Sequence, residues 1–259
     1  MRADQLLVHR GFAPTRAVAQ RLIAAGVQWR SSISVNAAWL PIQKNGQDLP
    51  VHADIQLLDT SDLQYVSRAG LKLSGALEQA GIKVTNYACL DVGQSTGGFT
   101  DCLLQAGAKS VLGIDVGHDQ LAPSLALDAR VMALQGVNAR DVDAVHDALG
   151  LALGRDDLPQ AIFDLVVVDL SFISQTHILP VILPLLKKGG HLISLVKPQF
   201  ELSPTEIGKG GLVDAKYYDK VKQRLNDCLQ DQGLLPTMWL ESPILGGDGN
   251  TEFFVIVQK

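Results

Sequence analysis

Residues 85–117, TNYACLDVGQSTGGFTDCLLQAGAKSVLGIDVG, constrain the fold more than any other part of the chain. An apolar run over 87–92 carries Asp91 near its end and enters a glycine-containing turn at 93–98. Residues 99–107 follow with Phe99, Leu103 and Leu104 on one helical side, and Gly107 is the stop. A second apolar run, 110–114, ends on Asp115. Strand, glycine turn, helix and strand closing on an acid open a parallel α/β sheet. Such a turn presents unpaired backbone N–H groups to a ligand, and an acid at the end of the second strand accepts hydrogen bonds from ribose hydroxyls.

The spacing within the turn narrows the ligand. A pyrophosphate-binding GxGxxG needs a compact second position, but this turn reads Gly93, Gln94, Ser95, Thr96, Gly97, Gly98. A GxxxxGK[ST] phosphate loop is absent as well, because Phe99 follows Gly98. DxGxxxGG with Asp115 standing 17 residues beyond Gly98 suits a nucleoside cofactor without a diphosphate, of which S-adenosyl-L-methionine is the common one. Taken alone, the same turn also serves as a tight structural turn.

The rest of the chain continues the α/β pattern. Strands are expected at 131–134, 161–168, 191–196, 235–241 and 253–258, and helices at 65–80, 179–187 and 214–232. Residues 141–160 read as a helix and loop, 201–213 as a glycine-rich polar loop, and 189–190 as a helix stop. At 259 residues the chain has room for one sizeable core and a small extra module. No apolar stretch approaches the ~20 residues needed to cross a bilayer, and the N-terminus lacks the features of a signal peptide. Cys89, Cys102 and Cys228 form no CxxC pair, which points to a reducing, cytoplasmic setting and to no structural metal.

Charge separates the two ends. Residues 1–60 carry five Arg and one Lys against four Asp, a net of +2, whereas the whole chain is −5, so the remainder is −7. A short helix over 3–9, then Thr15 as N-cap of a second helix stopped by Gly26, precede short β segments at 27–29, 32–35, 39–42 and 55–58. Residues 59–66 read as a linker, giving domains at 1–60 and 61–259. Arg2, Arg10, Arg16 and Arg21 form either a solvated face or a surface that contacts nucleic-acid phosphates. Trp29 and Trp39 are read as packing residues in preference to base-stacking ones.

Topology gathers the chemistry. Ligands of an open parallel sheet sit beyond the carboxyl ends of its strands, where Asp115, Asp169 and Lys197 all fall. If the last two strands form an antiparallel hairpin, Glu252 reaches the same edge. Asn138, past the third strand, is placed to meet an adenine edge or to cap a helix. A buried Lys flanked by acids is an ion-pair network or a catalytic group. Transfer of an alkyl group to a ribose hydroxyl needs that hydroxyl's proton removed; a lysine made less basic by a second ammonium does this while carboxylates orient it. Lys72 is the natural second lysine, although a lone helical lysine is usually a solvated charge.

These residues carry a specific resemblance. RADQLLVHRGFAPTRAVAQRLIAAG resembles the opening of a ribosomal protein S-four-like RNA-binding domain, while the following VQWRSSISVNAAWLPIQKNGQDLP is longer than that family's usual hairpin. From Tyr65 onward, YVSRAGLKL, LDVGQSTGGFTDCLL, GIDVG, DLVVVDLSFIS, LVKPQF, GKGGLVD and NTEF are similar to the TlyA/hemolysin-A family within the FtsJ-like ribose 2′-O-methyltransferases. Ala69 and Gln94 replace a commoner Gly and Ala. The resemblance implies a Rossmann-like class I methyltransferase sheet with an antiparallel last strand, plus a small α+β N-terminal domain. It implies S-adenosyl-L-methionine as cofactor and ribosomal RNA or ribosomal subunits as substrate, without a metal. The catalytic tetrad it implies is Lys72, Asp169, Lys197 and Glu252, with the cofactor held by Asp91, residues 93–98, Asp115, Asn138 and Asp169. The competing readings are a methyltransferase acting on an RNA base or small molecule, which would favour an Asn/Asp-Pro-Pro-aromatic motif where this chain has DLSF, and a non-enzymatic RNA-binding protein.

Overall fold

The computed structural model describes residues 1–32, 37–60, 63–154 and 161–259 and divides into two compact units, Met1–Ser67 and Arg68–Lys259. The first unit thus runs through the segment read as a linker. It contains helices α1 (Ala3–His9) and α2 (Arg16–Gly26) and a small sheet of β1 (Val27–Arg30), β2 (Leu40–Pro41) and β3 (Asp54–Leu57), with β1 in the middle and both pairings antiparallel. Thr15 Oγ1 accepts the Val18 N–H at 3.3 Å, a cap that contributes about 1 kcal/mol to a helix. Ala19, Leu22 and Ile23 recur at helical spacing and close on Leu6, Leu7 and Val27 to form the unit's core. Trp29 packs against that core, and the Arg30 guanidinium lies 4.8 Å from the Trp39 ring centre. The strand expected at 32–35 lies mostly outside the described residues.

The second unit begins with α3 (Ala69–Ala80), and then alternates β4 (Ala88–Val92), α4 (Gly98–Gln105), β5 (Ser110–Asp115), the short α5 (Pro123–Ala126), β6 (Val131–Gln135), α6 (Val142–Leu153) and β7 (Phe163–Val168). Next come α7 (Leu179–Ile182), β8 (Leu186–Val196), α8 (Pro198–Glu201), α9 (Tyr218–Asp231), β9 (Pro236–Glu241) and β10 (Phe253–Gln258). Seven strands form one sheet in the order β6-β5-β4-β7-β8-β10-β9. Strands β4 to β8 pair in parallel, and β10 inserts antiparallel between β8 and β9. The order reverses at β4, so the crevice used by ligands in such sheets opens over the ends of β4, β5 and β7. Runs such as LVVV of β7 are buried on both faces, as strands covered by helices on each side must be.

Three elements depart from the sequence periodicity. The helix expected over 65–80 starts only at Ala69. The segment 179–187 reads as one helix, but α7 ends at Ile182 and Leu183–Leu185 form a single 3-10 turn. Pro184 has no N–H to extend the helical ladder, so β8 starts at Leu186 and takes in Lys187 and the Gly189-Gly190 pair read as a helix stop. The segment 214–232 begins as a 3-10 turn at Ala215–Tyr217, capped by Asp214, before α9 proper. Of the helix and loop expected over 141–160, residues 155–160 lie outside the described ones.

Candidate active site

The turn after β4 is fixed by close contacts. Gly93 has φ +87°, and a Cβ there would lie 2.4 Å from the Asp169 carbonyl oxygen, so a glycine lets the turn pass directly beneath the end of β7. The Asp115 carboxylate accepts the Ser95 N–H at 2.8 Å on one oxygen and the Gly117 N–H at 2.7 Å on the other. It shapes the turn as well as facing the crevice. A cleft of about 220 Å³ opens here, lined by Gly93, Asp115, Val116, Asn138, Leu170 and Ser171 among others. Val116 is 66% exposed and offers an apolar slab beside Asp115. Asn138 Oδ1 accepts the Arg140 N–H at 3.1 Å, so it closes a local turn while its amide N–H₂ stays available. Ser95 and Thr96 are exposed on the turn, whereas Gly97 and Gly98 are buried at the start of α4. The donor set and the apolar walls fit an adenosine group.

Asp91 and Gln94 lie beneath the turn and not in the cleft. The Gln94 side chain is buried on Gly113 of β5, where a Cβ would sit 2.0 Å from its amide carbon. Its Nε2 donates to Thr100 Oγ1 at 2.9 Å, and that hydroxyl donates to Asp91 Oδ2 at 2.7 Å. Gln94, read as a cofactor contact, therefore turns its side chain inward. Asp91 is fully buried, and its Oδ1 has no hydrogen-bond partner. Burial pushes its carboxyl up to about 7; the Thr100 hydrogen bond opposes the shift and the nearby Asp169 charge adds to it. A group raised in the folded state stabilises fully below its unfolded pKa, near 3.8, and loses that contribution as pH rises through about 7. Wild-type stability relative to Asp91→Asn is therefore expected to fall as pH rises from 5 towards 8, at up to about 1.4 kcal/mol per pH unit below 7. Urea unfolding of both proteins across that range is the measurement, and a constant difference would refute the assignment.

Two ion pairs stand at the adjoining strand ends. The register Phe253↔Val196 places Glu252 beside Lys197. Glu252 Oε2 accepts from Lys72 Nζ at 2.6 Å, and both residues are buried. Lys197 Nζ lies 2.7 Å from Asp169 Oδ1 but is not aligned as a hydrogen-bond donor to it; it donates to Ser171 Oγ at 3.0 Å. The four groups are electrostatically one cluster. Burial raises the Glu252 carboxyl above the ordinary glutamate range, Lys72 and Lys197 pull it down, and Asp169 pushes it up. The structure thus gathers Lys72, Asp169, Lys197 and Glu252 at one edge, next to Gly93. Sequence reasoning missed Ser171 as a partner of Lys197 and Thr100 as the link to Asp91, although both lie inside the quoted motifs DLSF and GGFT.

In the first unit Arg2 and Arg16 are organised around a buried acid. Asp4 accepts from Arg2 Nε at 3.1 Å, from Arg16 at 2.9 Å and from Gln20 at 3.1 Å. These bonds, the one from Arg2 foremost, hold its carboxyl well below the usual range despite burial. The Arg2 and Arg16 side chains remain 46% and 55% exposed. Arg10 donates to the Ala53 carbonyl and lies over Phe12. Arg21 follows Gln20 on α2. Among the described residues no group of three or more His, Cys, Asp or Glu is placed to hold a metal ion, and no helix is long and apolar enough to cross a membrane.

The model of the FtsJ-like methyltransferase family matches residues 65–259. The chain is 38% identical over 255 residues to "16S/23S rRNA (cytidine-2'-O)-methyltransferase TlyA" of Mycobacterium tuberculosis, covering 98% of this chain and 88% of that one. It is 36% identical over 254 residues to "Hemolysin A" of Brachyspira hyodysenteriae, covering 98% of each. A solved structure, "Putative hemolysin from Streptococcus thermophilus", superposes with a TM-score of 0.70 at 34% identity, over 100% of this chain and 88% of the other.

Proposed function

We propose, given that the chain belongs to the FtsJ-like methyltransferase family, that it transfers a methyl group from S-adenosyl-L-methionine to a ribose 2′-hydroxyl of ribosomal RNA. One observation carries the reading: the Lys72–Glu252 and Lys197–Asp169 pairs stand together at the sheet edge that also bears the Asp115 cleft. When bound, the cofactor supplies an electrophilic methyl group. Asp115 keeps unused lone pairs on both oxygens and accepts from the ribose hydroxyls, Val116 packs on the adenine and the Asn138 amide meets its edge. Lys197 Nζ takes the proton of the attacking 2′-hydroxyl while Asp169 and Ser171 fix its position. Lys72, held by Glu252, keeps a positive charge where negative charge grows on the ribose oxygen.

The first unit is assigned to RNA binding. Asp4 draws Arg2 and Arg16 together and leaves about half of each side chain open to solvent, which sets two guanidinium groups for contacts with phosphates, and Arg10 and Arg21 add positive charge to the same unit. Such contacts position the RNA without reading its sequence.

Tritiated cofactor, incubated with ribosomal subunits and with protein-free ribosomal RNA and followed by nucleoside mapping, tests the function. Label in a 2′-O-methylated nucleoside is the expected result, with cytidines the first to examine. Label on a base nitrogen or carbon would replace this reading with base methylation, and no label in either RNA would sink it.

A further inference from the structure

Just behind the Lys197–Asp169 pair lies a buried polar network that the chemistry above does not use. Glu201, the last residue of α8, is 2% exposed. Its carboxylate accepts from Ser174 Oγ at 2.6 Å and from the Gln175 N–H at 2.8 Å. The Gln175 side chain, also buried, donates to the Leu195 carbonyl and accepts from Ser194 Oγ, both at 2.5 Å. Arg224 on α9 donates to the Glu201 carbonyl at 3.0 Å and stands 3.8 Å from its carboxylate.

The placement of these groups gives them a task. Ser194 and Leu195 lie three and two residues before Lys197, and Glu201 ends the helix that immediately follows it. Ser174 and Gln175 close the loop that starts at Asp169 and carries Ser171. The last rung between β7 and β8 is Val168↔Ser194, so beyond it the backbone ladder no longer joins the two segments. From there the side chains of Glu201 and Gln175 do. The loop also contains Phe172 with φ +65°, a conformation that a bulky residue rarely adopts and that persists only where its surroundings over-determine it.

We propose that Glu201 is a positioning residue for methyl transfer: through Ser174 and Gln175 it sets the loop bearing Asp169 and Ser171 against the segment bearing Lys197. This inference rests on the roles proposed for Lys197 and Asp169. Burial raises the Glu201 carboxyl above its ordinary range, and the Ser174 and Gln175 hydrogen bonds oppose the shift, as expected for an acid kept for its acceptor geometry and not for solvation. Misplacing a reacting group by about 1 Å costs up to about 100-fold in rate.

The test compares full-length wild type, Glu201→Ala, Glu201→Gln and Lys197→Ala with ribosomal RNA and saturating cofactor. Glu201→Ala is expected to lower kcat by about 10- to 100-fold with the cofactor Kd and the KM for RNA unchanged. Glu201→Gln keeps an acceptor for the Gln175 N–H and is expected to recover most of the rate. A wild-type rate in Glu201→Ala, a loss carried by KM alone, or a Gln variant as slow as the Ala variant overturns the proposal. Should Glu201→Ala not fold, Ser174→Ala removes one donor to the carboxylate and serves instead; a clear drop in its kcat supports the proposal and an unchanged kcat overturns it. The controls separate the two layers. A wild type that methylates no ribosomal RNA defeats the functional reading, whereas active wild type, inactive Lys197→Ala and unimpaired Glu201→Ala defeat only the positioning role.

Discussion

Lys197→Ala is expected to slow single-turnover methyl transfer by roughly 10³-fold, within the span for a lost proton-transfer group, while cofactor affinity stays near wild type. The reason is geometric. Lys197 Nζ lies 2.7 Å from Asp169 Oδ1 and donates to Ser171 Oγ, and Lys197 is not among the residues that line the Asp115 cleft. Lys197→Arg is expected to fail as well, because a guanidinium does not release its proton at working pH and its planar fork puts the charge elsewhere. Rapid-quench measurements with saturating RNA and cofactor decide the matter. Near-wild-type chemistry in Lys197→Arg would exclude Lys197 as proton acceptor and transfer that role to Lys72 or to water.

Glu252→Ala is expected to cost about 3–5 kcal/mol of folding stability in addition to abolishing activity, because it leaves the Lys72 ammonium buried without its partner. The pair itself contributes little net stability, since taking two charges out of water offsets their attraction. Replacing both, as Lys72→Met with Glu252→Leu, is therefore expected to return stability close to wild type while leaving the enzyme inactive. Denaturant unfolding and methyl-transfer assays on the two single variants and the double variant form the measurement. A Glu252→Ala protein as stable as wild type would mean that Lys72 finds another partner or reaches solvent. An active double variant would remove this pair from the chemistry.

Much of this site was legible before any tertiary structure. The β4–α4–β5 unit follows from an apolar run, a glycine turn, a helical period and a second apolar run, all of which are local signals. Asp115, Asp169 and Lys197 fall at strand ends by the same logic, and the hairpin formed by the last two strands carries Glu252 to them. Lys72 was different. Periodicity leaves it as one charge on a helix; the need for a second ammonium nominates it, and the motif YVSRAGLKL, similar to that of a family, supports the role proposed for it. The α7 to β8 boundary departs from the periodicity because Pro184 interrupts a pattern whose apolar residues suit a helix and a buried strand equally well.

The sequence by itself determined the order of elements, the class of the sheet and the residue types at its carboxyl edge, because backbone periodicity, turn chemistry and strand termination act over a few neighbouring residues. Only the tertiary structure decided which side chains meet: that Lys72 pairs with Glu252, 180 positions away, that Gln94 turns inward to Thr100, that Asp4 gathers Arg2 and Arg16, and that Glu201 and Gln175 take over where the β7–β8 ladder stops. Those pairings depend on packing that brings distant segments within 3 Å or so, and on a burial that makes each unpaired polar group costly. Neither quantity is written in the spacing of residues along the chain.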